Sequence, residues 1–317
     1  MGIHHMKSIM TRWLRIGIWL GLAAWMATVP SARAAGRAGA AAEAPAKTAR
    51  KPGIAADPYL GAIVVDAATG KILFEDKADV KGYPASMLKL MDLLIILEQV
   101  ERRQISMQDP VPVSAKAART GGSQVWLAEK ESFPVDDMLY ALMVQSANDA
   151  AVALAEKVAG STDAFVELMN KRARELGMTN TVFFSVHGLP PGPGQQHDVT
   201  TPRDFTLLCR EVLRHHDTLR YTSTRERAFR PDAGKKTVLM RSHDHLLGQV
   251  EGVDGLKTGY FADAGFSIAV TAQRQGRRVI VIVLGSANRK KRDAKAAELV
   301  AKGFLALPVP PAPAPSK

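Results

Sequence analysis

Ser86-Met87-Leu88-Lys89 sets a hydroxyl and an amine three residues apart, which on a helix puts both on one face, one turn apart. A serine hydroxyl is a poor nucleophile until a nearby base takes its proton. Lysine serves as that base only when desolvation or a second cation depresses its pKa. The residues just downstream, Leu93-Leu94-Ile95-Ile96-Leu97, are apolar all round and predict a helix buried on every side, so Lys89 stands against apolar surroundings. Taken alone, the four residues serve equally well as a helix cap with a surface lysine. Ser146-Ala147-Asn148 lies between two helical patterns, where a short turn can aim a hydroxyl and an amide into a shared cleft. On its own it reads first as a helix cap, with Asp149 favouring the next N-terminus. Lys257-Thr258-Gly259, on a strand edge, offers an ammonium and a hydroxyl to a carboxylate, and the glycine lets substrate approach the backbone closely. By itself it is just as readily an ordinary turn.

Positioning these groups requires a scaffold, and the pattern supplies one. Gly61–Val65 and Lys71–Phe74 flank the turn Asp66-Ala67-Ala68-Thr69-Gly70, a strand, loop and strand. Helices are expected from about Ser86 to Arg103 and over 135–145, 149–159 and 162–176, the last ended by Gly177. Thr201-Pro202-Arg203-Asp204 opens another, to about Arg214, with a cap, a proline at the first helical position and an acid in the first turn. Phe266–Thr271 and Val279–Leu284 are strands about the turn at Gln275-Gly276, and a last helix runs from about Arg292 to Phe304. Strands at both ends with helices between predict an α+β fold whose N- and C-terminal segments share one antiparallel sheet, with flanking helices and a helical lobe.

Jointly the three motifs say more than singly. In their order and spacing, with Val186-His187-Gly188-Leu189 between them, they resemble the penicillin-recognising serine DD-peptidases, the low-molecular-mass penicillin-binding proteins of the D-alanyl-D-alanine carboxypeptidase family. The likeness covers about residues 57–306, and Pro84–Met91, Ser146–Ala151 and Val253–Gly259 carry it. It implies the penicillin-binding protein or β-lactamase-like transpeptidase fold. It also implies that Ser86 attacks the penultimate D-alanine carbonyl of a peptidoglycan stem, with neutral Lys89 as base. Ser146 relays a proton to the leaving amine and Asn148 holds the substrate backbone. Lys257 and Thr258 bind the terminal carboxylate, beside Gly259, and the N–H groups of Ser86 and Tyr260 form the oxyanion hole. Partners so implied are stem peptides, with β-lactams as covalent inhibitors and no cofactor. The alternatives are a DD-endopeptidase using the same residues and a catalytically silent peptidoglycan or penicillin binder. Ser286-Ala287-Asn288 repeats the S-x-N spelling after K-T-G and reads as a strand-end turn.

Charge points away from nucleic acid. The chain has 317 residues, a net charge of +11 and 46% hydrophobic residues, which fits a folded protein with a sizeable core. The excess of positive charge lies mostly at the ends: residues 1–56 hold Lys7, Arg12, Arg15, Arg33, Arg37, Lys47, Arg50 and Lys51 against Glu43 alone. Such ends provide at most a weak attraction to an anionic envelope surface. Lys7, Arg12 and Arg15 precede an apolar stretch from Ile16 to Val29 and the small-x-small pattern Ala32-Arg33-Ala34, so residues 1–34 read as a secretory signal and the protein as periplasmic. Residues 35–56 read as a flexible spacer, 57–306 as the catalytic domain and 307–317 as a proline-rich tail. His243-Asp244-His245, His187, His197 and His215-His216 lack a matched third ligand, and no metal is expected. Cys209, the single cysteine, reads as a helical core position.

Overall fold

The computed structural model describes residues 53–230 and 234–308. The expected export signal, most of the expected spacer and residues 309–317 of the expected tail lie outside the described residues. In chain order the elements are β1 (Gly61–Asp66), β2 (Ile72–Asp76), a 3-10 turn over Ala85–Leu88, α1 (Lys89–Glu101), β3 (Pro110–Pro112), α2 (Ala115–Arg119), β4 (Ser132–Pro134), α3 (Val135–Met143), α4 (Asn148–Ala159) and α5 (Thr162–Glu175). Then come α6 (Pro202–Val212), α7 (Thr218–Thr222), β5 (Glu226–Phe229), β6 (Val238–Arg241), β7 (Val253–Phe261), β8 (Gly265–Arg274), β9 (Arg277–Ser286) and α8 (Arg289–Ala306).

The expected sheet is present. Its five strands run β2-β1-β9-β8-β7 with every pairing antiparallel, so β1 from one end of the domain lies against β9 from the other. On β1, Ile63 and Val65 face the helical lobe while Ala62 and Val64 pack on the opposite side with Leu299, Val300 and Phe304 of α8, the alternation a strand imposes. Because both faces of β9 are covered, its run from Val279 to Leu284 is buried throughout. In the helical lobe α1 is buried from Lys89 to Glu98. The remaining helices surround it, and β7 occupies the sheet edge nearest the Ser86 turn.

Local signals mark the helix ends. Thr201 accepts a hydrogen bond from the Asp204 N–H at the start of α6, as its cap position predicts. At the end of α5 the Met178 N–H reaches the Ala173 carbonyl and Gly177 reaches Arg174, the paired bonds of a Schellman stop. The sequence gives no notice of α2, α7 or the short hairpins β3/β4 and β5/β6, whose three to five residues are too few for a hydrophobic period. At the other end of the spacer, the Ile54 and Ala56 N–H groups bond the carbonyls of Asp263 and Gly285, tying these two residues to the sheet.

Candidate active site

Ser86 sits not in an α-helix but in the 3-10 turn that precedes α1. The tighter turn still brings the two groups of the S-x-x-K pattern together: Lys89 Nζ donates to Ser86 Oγ at 3.1 Å. The same ammonium nitrogen donates to Asn148 Oδ1 at 2.8 Å and to the His187 carbonyl at 2.7 Å. Lys89 has no exposed surface. Burial lowers its pKa to about 7, against the opposing attraction of Asp92, Asp198 and Asp149. Asp149 accepts from the Val125, Leu127 and Ala150 N–H groups, and Asp198 from Phe184, Ser185 and the Ser185 hydroxyl. Asp92, one turn along α1 from Lys89, is buried with neither carboxyl oxygen hydrogen-bonded, and burial raises its pKa well above the usual range.

Two glycines hold the Ser86 turn. A Cβ on Gly259 would lie 2.3 Å from the Pro84 carbonyl oxygen and 3.1 Å from the Met87 nitrogen. One on Gly188, whose φ is +73°, would lie 2.3 Å from the Ala85 oxygen. The structure thus gives Gly259 a further reason beside the one read in the sequence: it admits the chain's own serine-bearing turn against β7. Lys257 and Thr258, on the same strand, are buried, and Lys257 Nζ donates to the Thr258 carbonyl at 3.2 Å. Burial first, and the neighbouring Lys89 cation second, push the Lys257 pKa well below its usual value. Ser146 is 3% exposed with φ +59°, a conformation costly for serine, at the corner where α3 gives way to α4. Asn148 is engaged within the protein, its Nδ2 donating to the Gly121 carbonyl at 2.8 Å while its Oδ1 accepts from Lys89.

Ser86, Ser146, Asn148, Thr258, Gly259 and Tyr260 line one cleft of about 340 Å³. All the residues singled out in the three motifs therefore converge there, with Lys89 and Lys257 buried behind its wall. Sequence reasoning missed Gly122, Ser123, Phe266, Arg289 and Arg292 as lining residues, and it considered His243 and His245 only in weighing a metal site, whereas both line the cleft. The H-D-H spelling was their only signal. His245 Nε2 lies 2.8 Å from Arg289 Nη1. His187 enters through its main-chain carbonyl, which no side-chain pattern signals. Ser286 closes β9 and Asn288 caps α8, in keeping with the strand-end reading. Cys209 is fully buried. Among the described residues, Glu98, Glu211 and His215 bring ligand atoms within 4.8 Å of one another, but Arg172 already bonds both carboxylates.

Comparison with known proteins shows the family. A family model described as D-alanyl-D-alanine carboxypeptidase matches residues 45–288. The chain is 34% identical over 243 residues to the D-alanyl-D-alanine carboxypeptidase DacF of Bacillus subtilis, covering 77% of this chain and 61% of that protein. With DacC of Escherichia coli it is 35% identical over 249 residues, covering 76% of this chain and 60% of that one. The chain thus spans about three fifths of the length of these relatives. Among solved structures, a penicillin-binding protein from Listeria monocytogenes in its ampicillin-bound form superposes with a TM-score of 0.70 at 32% identity, over 78% of this chain and 97% of the other. With a family model matched over most of the chain and relatives a third identical, the chain belongs to the D-alanyl-D-alanine carboxypeptidase family.

Proposed function

We propose that the protein is an exported serine D-Ala-D-Ala carboxypeptidase that trims peptidoglycan stem peptides. One observation carries the reading: a lysine without solvent contact, its pKa depressed by burial to about 7, is hydrogen-bonded to the hydroxyl of Ser86. Such an amine is neutral in a large fraction of molecules near neutral pH and accepts a proton at the moment Ser86 attacks. The Ser86 oxygen bonds to the carbonyl carbon of the penultimate D-alanine as its proton passes to Lys89. The amide C–N bond then breaks, the proton reaches the leaving amine by way of Ser146, and water cleaves the resulting ester. The main-chain N–H groups of Ser86 and Tyr260 receive the developing oxyanion; β7 is an edge strand, so half of its amides have no strand partner.

Asn148 holds the Lys89 nitrogen and meets the substrate backbone as Lys89 changes charge. Lys257 and Thr258 receive the terminal carboxylate. Two buried lysines in one site repel each other's charge, so an arriving carboxylate that draws a proton onto Lys257 also favours neutral Lys89. A β-lactam enters as a mimic of the D-Ala-D-Ala amide and leaves Ser86 acylated.

Incubation with a fluorescent penicillin tests the nucleophile: wild type becomes covalently labelled and Ser86→Ala does not. Free D-alanine released from a pentapeptide stem supports a carboxypeptidase, whereas monomers released from a cross-linked dimer with no D-alanine from the pentapeptide overturn it in favour of an endopeptidase.

A further inference from the structure

Trp126 is the one tryptophan among the described residues, and it is 67% exposed. Its backbone is in the left-handed region, φ +59°, which a tryptophan adopts only when its surroundings compel it. The compulsion is visible. Asp149 accepts from the N–H groups on both sides of it, Val125 at 3.2 Å and Leu127 at 3.0 Å. Arg230 donates to the Val125 carbonyl at 2.8 Å and the Trp126 carbonyl at 3.1 Å, and is itself paired with Glu131. Val125 and Leu127 are buried, so the loop is anchored on either side of an indole turned to solvent.

The same loop forms a wall of the active-site cleft. Gly122 and Ser123 line it, the Gly121 carbonyl accepts from Asn148, and the Ser123 carbonyl accepts from the Asn148 N–H. A chain reaches at most about 3.6 Å per residue, so Trp126 lies within about 11 Å of Ser123, Cα to Cα. The tryptophan is therefore carried, exposed, on the loop that walls the cleft, and the carboxylate next in sequence to Asn148 holds that loop. Exposed Glu129 and Lys130 follow it in the loop, which suits a single ring-sized platform and not a membrane-inserting patch.

We propose that Trp126 is a substrate-recognition residue that stacks on a sugar ring of the glycan to which the stem peptide is attached. The choice of glycan rests on the peptidoglycan reading above. A pyranose presents one largely C–H face, which packs on an indole while its hydroxyls stay in water. The cleft takes the end of the stem and the platform takes a part of the substrate remote from the reacting bond, so the interaction acts on binding.

Two measurements test this. With wild type and Trp126→Ser, compare hydrolysis of a free pentapeptide and of the same peptide attached to its disaccharide. KM for the sugar-bearing substrate is expected to rise about tenfold, the effect of losing one aromatic anchor, with kcat, free-peptide hydrolysis and penicillin labelling unchanged. Trp126→Phe keeps most of the affinity. An equal loss on both peptides, or no change on either, overturns the proposal. Binding of Ser86→Ala protein to purified glycan strands stripped of their peptides separates this claim from the catalytic one. Retention that Trp126→Ser abolishes supports the platform even if neither peptide is cut, and glycan strands that bind neither protein, or both equally, refute it.

Discussion

The chemistry depends on the charge of one residue, Lys89. Its ordinary pKa is 10.5 and burial lowers it to about 7, so neutral amine accumulates as pH rises through that value. Covalent labelling by penicillin is expected to climb between pH 6 and 8 and then level, with the rate at pH 6 about a tenth of the plateau, the fraction neutral one unit below a pKa. Stopped-flow labelling across that range checks it; a rate flat from pH 5 to 8 removes Lys89 as the base. The S-x-x-K spacing was legible in the sequence because three residues span one turn whatever the fold. The desolvation was only hinted at, since it comes from burial under other segments, those bearing Asn148 and His187 among them.

At the scale of elements, the site is a meeting of the Ser86 turn, the α3–α4 corner and edge strand β7. Their approach is close enough that Gly259 has no room for a methyl group beside the Pro84 carbonyl. Gly259→Ala is expected to leave a folded protein, by circular dichroism, whose β7 has shifted away from the turn. Its acylation rate falls by about a hundredfold, the cost of misplacing reacting groups by the order of 1 Å. Labelling at the wild-type rate would show that the turn tolerates the displacement. Strands β8 and β9 and helix α6 were readable because a tight turn and a cap are local devices. The second role of Gly259 was not legible because Met87, which approaches it, is 172 residues away in sequence.

For the molecule as a whole, burying ionisable groups in the site costs stability in opposite pH ranges. Lys89 in the folded protein binds its proton less tightly than in the unfolded chain, so its contribution improves as pH rises from about 7 toward 10.5. Asp92 has the reverse sign: its folded pKa lies above its unfolded one, so the stability present below about pH 4 declines as pH rises. Asp92→Asn removes that titration, and its thermal midpoint is expected to exceed that of wild type increasingly above pH 4 and to approach it below. Calorimetry across pH 3 to 8 decides; a variant less stable than wild type at neutral pH would mean that the carboxylate is stabilised when charged. The sequence by itself determined the order of the three motifs and the strands that close the sheet from both ends of the domain, because these rest on spacing and local periodicity, and the motifs carried the resemblance to the family. Only the tertiary structure decided which groups surround Lys89, that Asp92 is left without a hydrogen-bond partner, that His243 and His245 reach the cleft and that Trp126 is exposed on the loop that walls it. Burial and hydrogen bonding are set by neighbours far away in the chain, and no local pattern records them.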